Sequence, residues 1–132
     1  MTQEEKELLI KDLCARLPYK PKVHIEHDVF YDEREPYDTE LNLSVLYNRC
    51  AGMEIKPYLR PMSSMTDEER KIICSMNMLS DIELSDRINH QKMYVQNYTI
   101  ETFDLFNKHH IDYRGLIPIG LALEAPEGMY KF

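Results

Sequence analysis

The chain has 132 residues, 23 acidic against 16 basic, and 43% of them are hydrophobic; at this length roughly 68% of the unfolded surface can be buried in one self-sufficient core. Only four glycines and seven prolines, with apolar residues recurring throughout, exclude a collagen-like or wholly disordered chain. The longest apolar run, residues 116–123, is interrupted by Pro118 and Gly120 and falls far short of the ~20 residues a bilayer requires, while residues 1–7 are acidic and polar, so no membrane span or export signal is expected and the expected location is cytoplasmic.

The three cysteines are odd in number and form no Cys-x-x-Cys pair, which points to reduced thiols rather than a disulfide framework or a zinc knuckle. Cys14, on an apolar helical stripe, and Cys74, after two isoleucines, are expected to be buried as small hydrophobes. Charge is concentrated in residues 26–40, where Glu26, Asp28, Asp32, Glu33, Glu35, Asp38 and Glu40 face the single base Arg34, accounting for nearly all of the net charge of −7. Such a negative field repels phosphate backbones and argues against nucleic acid on this side. It reads either as a solvated loop or as a docking surface for a basic partner, with Asp32, Glu33 and Glu35 as contacts.

In chain order, Thr2 and Glu5 form a capping-box pattern that starts a helix carrying Leu9, Ile10, Leu13, Cys14 and Leu17 on one stripe, and Pro18 stops it. Residues 22–29 alternate, with Val23 and Ile25 on one face and His24 and Glu26 on the other, which predicts a half-buried strand. Residues 40–47 alternate again through Leu41, Leu43, Val45 and Tyr47, predicting an antiparallel second strand. Residues 54–60, with Pro57 inside, are expected to be an edge strand or extended segment. Capping boxes at Thr66/Glu69 and Ser80/Glu83 begin two further helices, and Tyr98 with Phe103 makes a hydrophobic staple around a helix capped by Thr99 and ending at His109 and His110, where the helix terminus favours imidazolium. Asp112 is expected to cap a short helical turn ending near Gly120, and residues 121–132 to be an irregular tail. The order predicts one α+β domain, a small antiparallel sheet with three to four helices packed on one face.

For chemistry, His24, Glu26 and Asp28 lie on one strand face and could begin a metal site only if His109 or His110 joined them. His109, His110 and Asp112 could supply a base and an orienting carboxylate, but no nucleophile elbow or glycine-rich phosphate loop accompanies them. No cofactor, metal or catalytic residue is therefore assigned. Lys56, Tyr58 and Arg60 interleave bases with an aromatic ring on a proline-stiffened segment, and Tyr113 and Arg114 follow the histidine pair; both sets are candidate partner contacts, with scaffolding as the competing reading.

Residues 6–19 (KELLIKDLCARLPY), 55–66 (IKPYLRPMSSMT), 109–118 (HHIDYRGLIP) and 120–130 (GLALEAPEGMY) resemble a family of small uncharacterised proteins of gut Bacteroides, their bacteriophages and mobile elements. The resemblance implies a bacterial or phage cytosolic setting and carries no activity, cofactor or catalytic residue. The expectation is a non-enzymatic module that binds another protein or itself, with a small metal-dependent hydrolase or a nucleic-acid-binding protein as the alternatives.

Overall fold

The structure, a computed structural model, describes residues 1–27, 35–50 and 54–131. These residues form an α+β fold with helices α1 (Gln3–Arg16), α2 (Leu43–Cys50), α3 (Asp67–Asn77), α4 (Asp81–Asn89), α5 (Gln91–Tyr94) and α6 (Ile100–Lys108). Four strands, β1 (Lys22–His27), β2 (Tyr37–Glu40), β3 (Glu54–Leu59) and β4 (Leu123–Glu124), make one sheet in the order β2-β1-β3-β4. The β2–β1 and β1–β3 pairs are antiparallel and β3–β4 is parallel, so the sheet is mixed where an antiparallel one is expected. No helix among the described residues is long and apolar enough to cross a membrane.

The helix starts follow the sequence signals. Thr2, Thr66 and Ser80 each accept from the amide three residues on, while Glu5, Glu69 and Glu83 reach back to the capping residue; each box satisfies two backbone donors that a helix start otherwise leaves unpaired. Tyr98 and Phe103 meet edge to face at 5.9 Å, closing the staple at α6.

Two expectations fail for identifiable reasons. Residues 40–47 are not a strand: β2 lies earlier, and Asn42 Oδ1 accepts from Val45 N (2.9 Å), capping α2. Leu43 and Tyr47, one helical turn apart, then share the outer face at 73% exposure each, while Leu46 turns inward. Their alternation with Leu41 and Val45 mimicked a strand because a short helix and a strand are hard to distinguish over eight residues. Nor do residues 121–132 form an irregular tail, since β4 adds to the sheet at Tyr58 and Leu59. This places β3 inside the sheet. Pro57 is tolerated there because β4 begins beyond it, so over Pro57 the strand has a neighbour on the β1 side alone.

Leu9 and Leu13 of α1 pack on Val23, Ile25 and Ile55 of the sheet together with Leu41 and Leu46, each such side chain contributing ~1.5–3 kcal/mol through removal from water. A second cluster joins Met62, Met65, Ile73, Leu84, Phe106, Ile111 and Tyr113 between α3, α4 and α6. The inward stripe of α1 is Leu9, Asp12, Leu13 and Arg16, spaced at i, i+3, i+4 and i+7. It includes two charges, and it leaves Cys14 exposed and Cys74 only half-buried, against the expectation of buried thiols.

Arg16 is fully buried and donates through Nε to Asp12 Oδ2 (2.9 Å) and through Nη2 to the Ile111 carbonyl (2.8 Å), with a longer contact to the Phe106 carbonyl (3.4 Å). Asp12 also accepts from Arg114 Nη1 (2.7 Å). Arg16→Met is expected to lower unfolding free energy by about 3–5 kcal/mol, because the remaining carboxylate and carbonyls stay buried with partners lost. Arg16→Lys should recover only part of it, lacking the forked donors. Urea titration at neutral pH measures both.

Candidate functional site

The end of α6 is where the polar side chains converge. Ile111 N bonds to the Phe106 carbonyl (2.8 Å) and His110 N to that of Asn107 (3.3 Å), a Schellman closure in which His110, at φ +59, takes the left-handed position usually given to glycine. His110 is held there by stacking on the Tyr130 ring at 4.0 Å and by its carbonyl accepting from Arg60 N (2.7 Å). Tyr130 in turn accepts from Lys22 N and donates to the Tyr58 carbonyl, both at 2.8 Å, so the chain's last turn is tied to β1 and β3. Burial pushes the Tyr130 phenol up to about 12. Asp112 does cap the following turn, accepting from Leu116 N (2.8 Å) and Ile117 N (2.9 Å), though the segment closes as turns rather than a helix.

Arg60 grips Glu69 with both terminal nitrogens (2.7 and 2.9 Å), and His109 Nδ1 lies 2.7 Å from the same carboxylate. Although burial opposes ionisation of Glu69, the hydrogen bonds from Arg60, Thr66 and His109 prevail and lower it to about 2. Arg60 also reaches the carbonyls of His109 and Ser64, so a second guanidinium sits at the negative end of α6. The sequence suggests a helix end with one ring packed and one solvated; the structure packs His110 and half-buries His109 against Glu69. His110 is buried, and burial followed by repulsion from Arg16, His109 and Arg60 lowers it to about 4, opposite to the expected imidazolium.

The sheet's other face carries its own cluster. His24 Nδ1 lies 2.7 Å from Asp38 Oδ1 and Nε2 2.9 Å from Glu26 Oε2, while the Tyr58 hydroxyl donates to Asp38 Oδ1 (3.0 Å). Only an imidazolium can donate from both nitrogens, and the Asp38 hydrogen bond is the main cause raising the His24 pKa. His24, His109 and His110 therefore serve different partners, Asp38, Glu69 and Tyr130 respectively. Among the described residues no group of three or more His, Cys, Asp or Glu is arranged to hold a metal ion.

Of the candidate contacts, Arg60, Tyr113 and Arg114 are engaged in the interior, Lys56 and Tyr58 are half-buried on the sheet, and Glu35 is exposed. Asp32 and Glu33 lie outside the described residues, as does the side chain of Cys50. Sequence reading weighs Met76 and Met78 as adaptable core or a contact patch and favours core; the structure places them on an apolar surface where α3 ends against the start of α6. Asn77 donates to Thr102 Oγ1 (2.8 Å) and accepts from Thr99 N (3.0 Å), and Thr102 Oγ1 also lies 3.6 Å from Met76 Sδ. Around this joint Met76, Met78 and Ile100 are 37%, 93% and 78% exposed, and Ile72 continues the stripe one turn back along α3.

No family model matches the chain, and neither a curated protein nor a solved structure matches it.

Two buried groups set the acid response. Unfolded His110 takes up a proton from pH 6.5 downward while the folded ring resists to about 4, and unfolded Glu69 does so from 4.5 while the folded carboxylate resists to about 2; stability therefore falls with pH across both windows. His24, raised, acts oppositely: its contribution is present below 6.5 and is lost as pH rises through its folded value. His110→Asn, tolerated at positive φ, should flatten the upper acid window and Glu69→Gln the lower. Urea midpoints at stepped pH check the slopes, and imidazole NMR titration should place His24 and His110 on opposite sides of 6.5.

Proposed function

We propose that the protein is a non-enzymatic binding module that docks another protein on the apolar surface formed by Ile72, Met76, Met78 and Ile100, in the bacterial or phage cytosolic setting implied by the resemblance of its recurring segments. The observation that carries this reading is the exposure of Met78 and Ile100 beside a fully hydrogen-bonded joint: Asn77, Thr99 and Thr102 satisfy one another, so the joint holds its shape while the large side chains around it stay in water. Contiguous exposed apolar surface rimmed by polar groups marks interaction sites. Glu68 lies one turn before Ile72 on α3 and Asp104 one turn after Ile100 on α6, both exposed, so the partner chemistry we infer is an apolar surface with a basic border. Methionine suits such a face because its unbranched thioether adapts to a partner's contour.

A leucine/lysine amphipathic helical peptide is expected to bind the full chain saturably, and its leucine/glutamate counterpart to bind at least tenfold more weakly. The Met78→Ser/Ile100→Ser double variant should lose at least tenfold in affinity for the first peptide while its unfolding free energy stays within roughly 0.5 kcal/mol, since surface changes of this kind cost little. Fluorescence anisotropy and urea titration measure the two. Equal binding of both peptides, or a double variant that binds as well as the parent, would sink the reading.

A further inference from the structure

The sheet ends on one side in β2, which pairs with β1 alone, and on the other in β4, whose two residues are too few to seat a partner strand. The ladder fixes which groups of β2 face outward. Leu41 N donates to the Pro21 carbonyl (2.8 Å), and Thr39 and Tyr37 stand opposite Val23 and Ile25 in the same register, so alternate residues of β2 turn their main chain toward β1. The amides and carbonyls of Asp38 and Glu40 therefore point away from the sheet, and no described residue hydrogen-bonds to them. An open edge of this kind is a template for another strand.

Side chains decide which strand fits. Asp38 and Glu40 are exposed on one face of the sheet, while Tyr37 and Thr39 are half-buried on the other, where Tyr37 borders the first hydrophobic cluster. A strand added here meets carboxylates on one face and a partly covered apolar border on the other, so its own side chains must alternate basic and apolar. The same charge decides against a second copy of this chain. Antiparallel pairing of two β2 edges would set the Asp38 and Glu40 carboxylates of one copy against those of the other, and like charges directly opposite destabilise a pair. Residues 26–40, with seven carboxylates and one base, add to the attraction for a basic segment.

We propose that β2 takes up an extended peptide segment of alternating basic and apolar residues as an antiparallel strand added to the sheet. The basic residues stand opposite Asp38 and Glu40, where their amides and carbonyls bond to the outward main chain of these two residues. The apolar residues between them lie on the face of Tyr37 and extend the first cluster. Main-chain bonds supply the attachment and the alternating side chains supply the selection. The edge shares no residue with the surface of Ile72, Met76, Met78 and Ile100, so either docking site can fail alone.

The test titrates the full chain with a labelled peptide of alternating valine and lysine, followed by fluorescence anisotropy and amide NMR. Saturable binding is expected, at least tenfold tighter than that of the valine/glutamate counterpart, with the largest shifts at the amides of Asp38 and Glu40. Methylating the backbone nitrogens of the lysines should weaken binding at least tenfold, whereas methylating those of the valines, which face away from β2, should change it less than threefold; a purely electrostatic contact would treat the two alike. Glu40→Pro removes one outward amide and leaves the β1 ladder intact, and should also lose at least tenfold, while Met78→Ser/Ile100→Ser should bind as the parent does. Should Glu40→Pro fold poorly, the two methylated peptides decide alone. Absence of saturation, equal effects of the two methylations, shifts centred on Ile100, or a dimer of the unliganded chain that Glu40→Pro disperses would overturn the proposal.

Discussion

The buried pair of Asp12 and Arg16 is the constraint on which the rest of the molecule is arranged. Taking two charges out of water costs several kcal/mol per ion, and their mutual attraction offsets that only when the remaining donors and acceptors are also satisfied. Arg16 meets this condition because its fork bonds at once to a carboxylate on its own helix and to the Ile111 carbonyl beyond α6. The end of α6 is therefore fixed relative to α1 by hydrogen bonds, and the sheet packed on α1 is fixed with it. A lysine could neutralise Asp12 but could not span both partners with a planar fork.

Arg60 repeats the device from the opposite side. It leaves β3, binds Glu69 at the start of α3, and touches the His109 carbonyl at the end of α6. Its backbone continues the contact, with Arg60 N on the His110 carbonyl and Asp112 N on the Arg60 carbonyl (2.8 Å). Two guanidiniums thus converge on one helix terminus, whose unpaired carbonyls and partial negative charge supply the partners. The segments that mesh here are residues 6–19 through Asp12 and Arg16, residues 55–66 through Arg60, and residues 109–130 through His109 to Arg114 and Tyr130. Their physical role in this chain is to converge: residues 6–19 and 55–66 each complete polar groups on the stretch from His109 to Tyr130.

Much of the secondary structure was legible because its signals are local. Thr2, Thr66, Ser80 and Thr99 each lie within a few residues of the amides they cap, so the pattern and the bond occupy the same window. What escaped depended on distant partners. The role of Asp12 had no sequence signal because nothing near it in sequence announces Arg114, and β4 looked irregular because two residues are too few to show alternation. Lys56 and Tyr58 fell on the sheet, but Arg60, Tyr113 and Arg114 went inward, since mixed basic and aromatic residues read alike whether they meet a partner or the chain's own carbonyls. The unsatisfied Asn107 oxygen had no sequence signal at all, because an orphaned acceptor is defined only by what fails to approach it.

Helix α6 connects the features that remain after the core is accounted for. Its first turn carries Ile100 on the exposed surface, its middle packs Phe103 and Phe106 into the second cluster, and its last turn is clamped by Arg16 and Arg60. A nine-residue helix is nearly rigid over its ~14 Å length, so its two ends cannot respond independently. The C-terminal end is held by buried, charge-assisted hydrogen bonds, whereas the N-terminal end is held by the neutral bonds of Asn77, Thr99 and Thr102, roughly half as strong individually. In this fold the clamp that stabilises the interior therefore holds the C-terminal end of α6 by the stronger set of bonds.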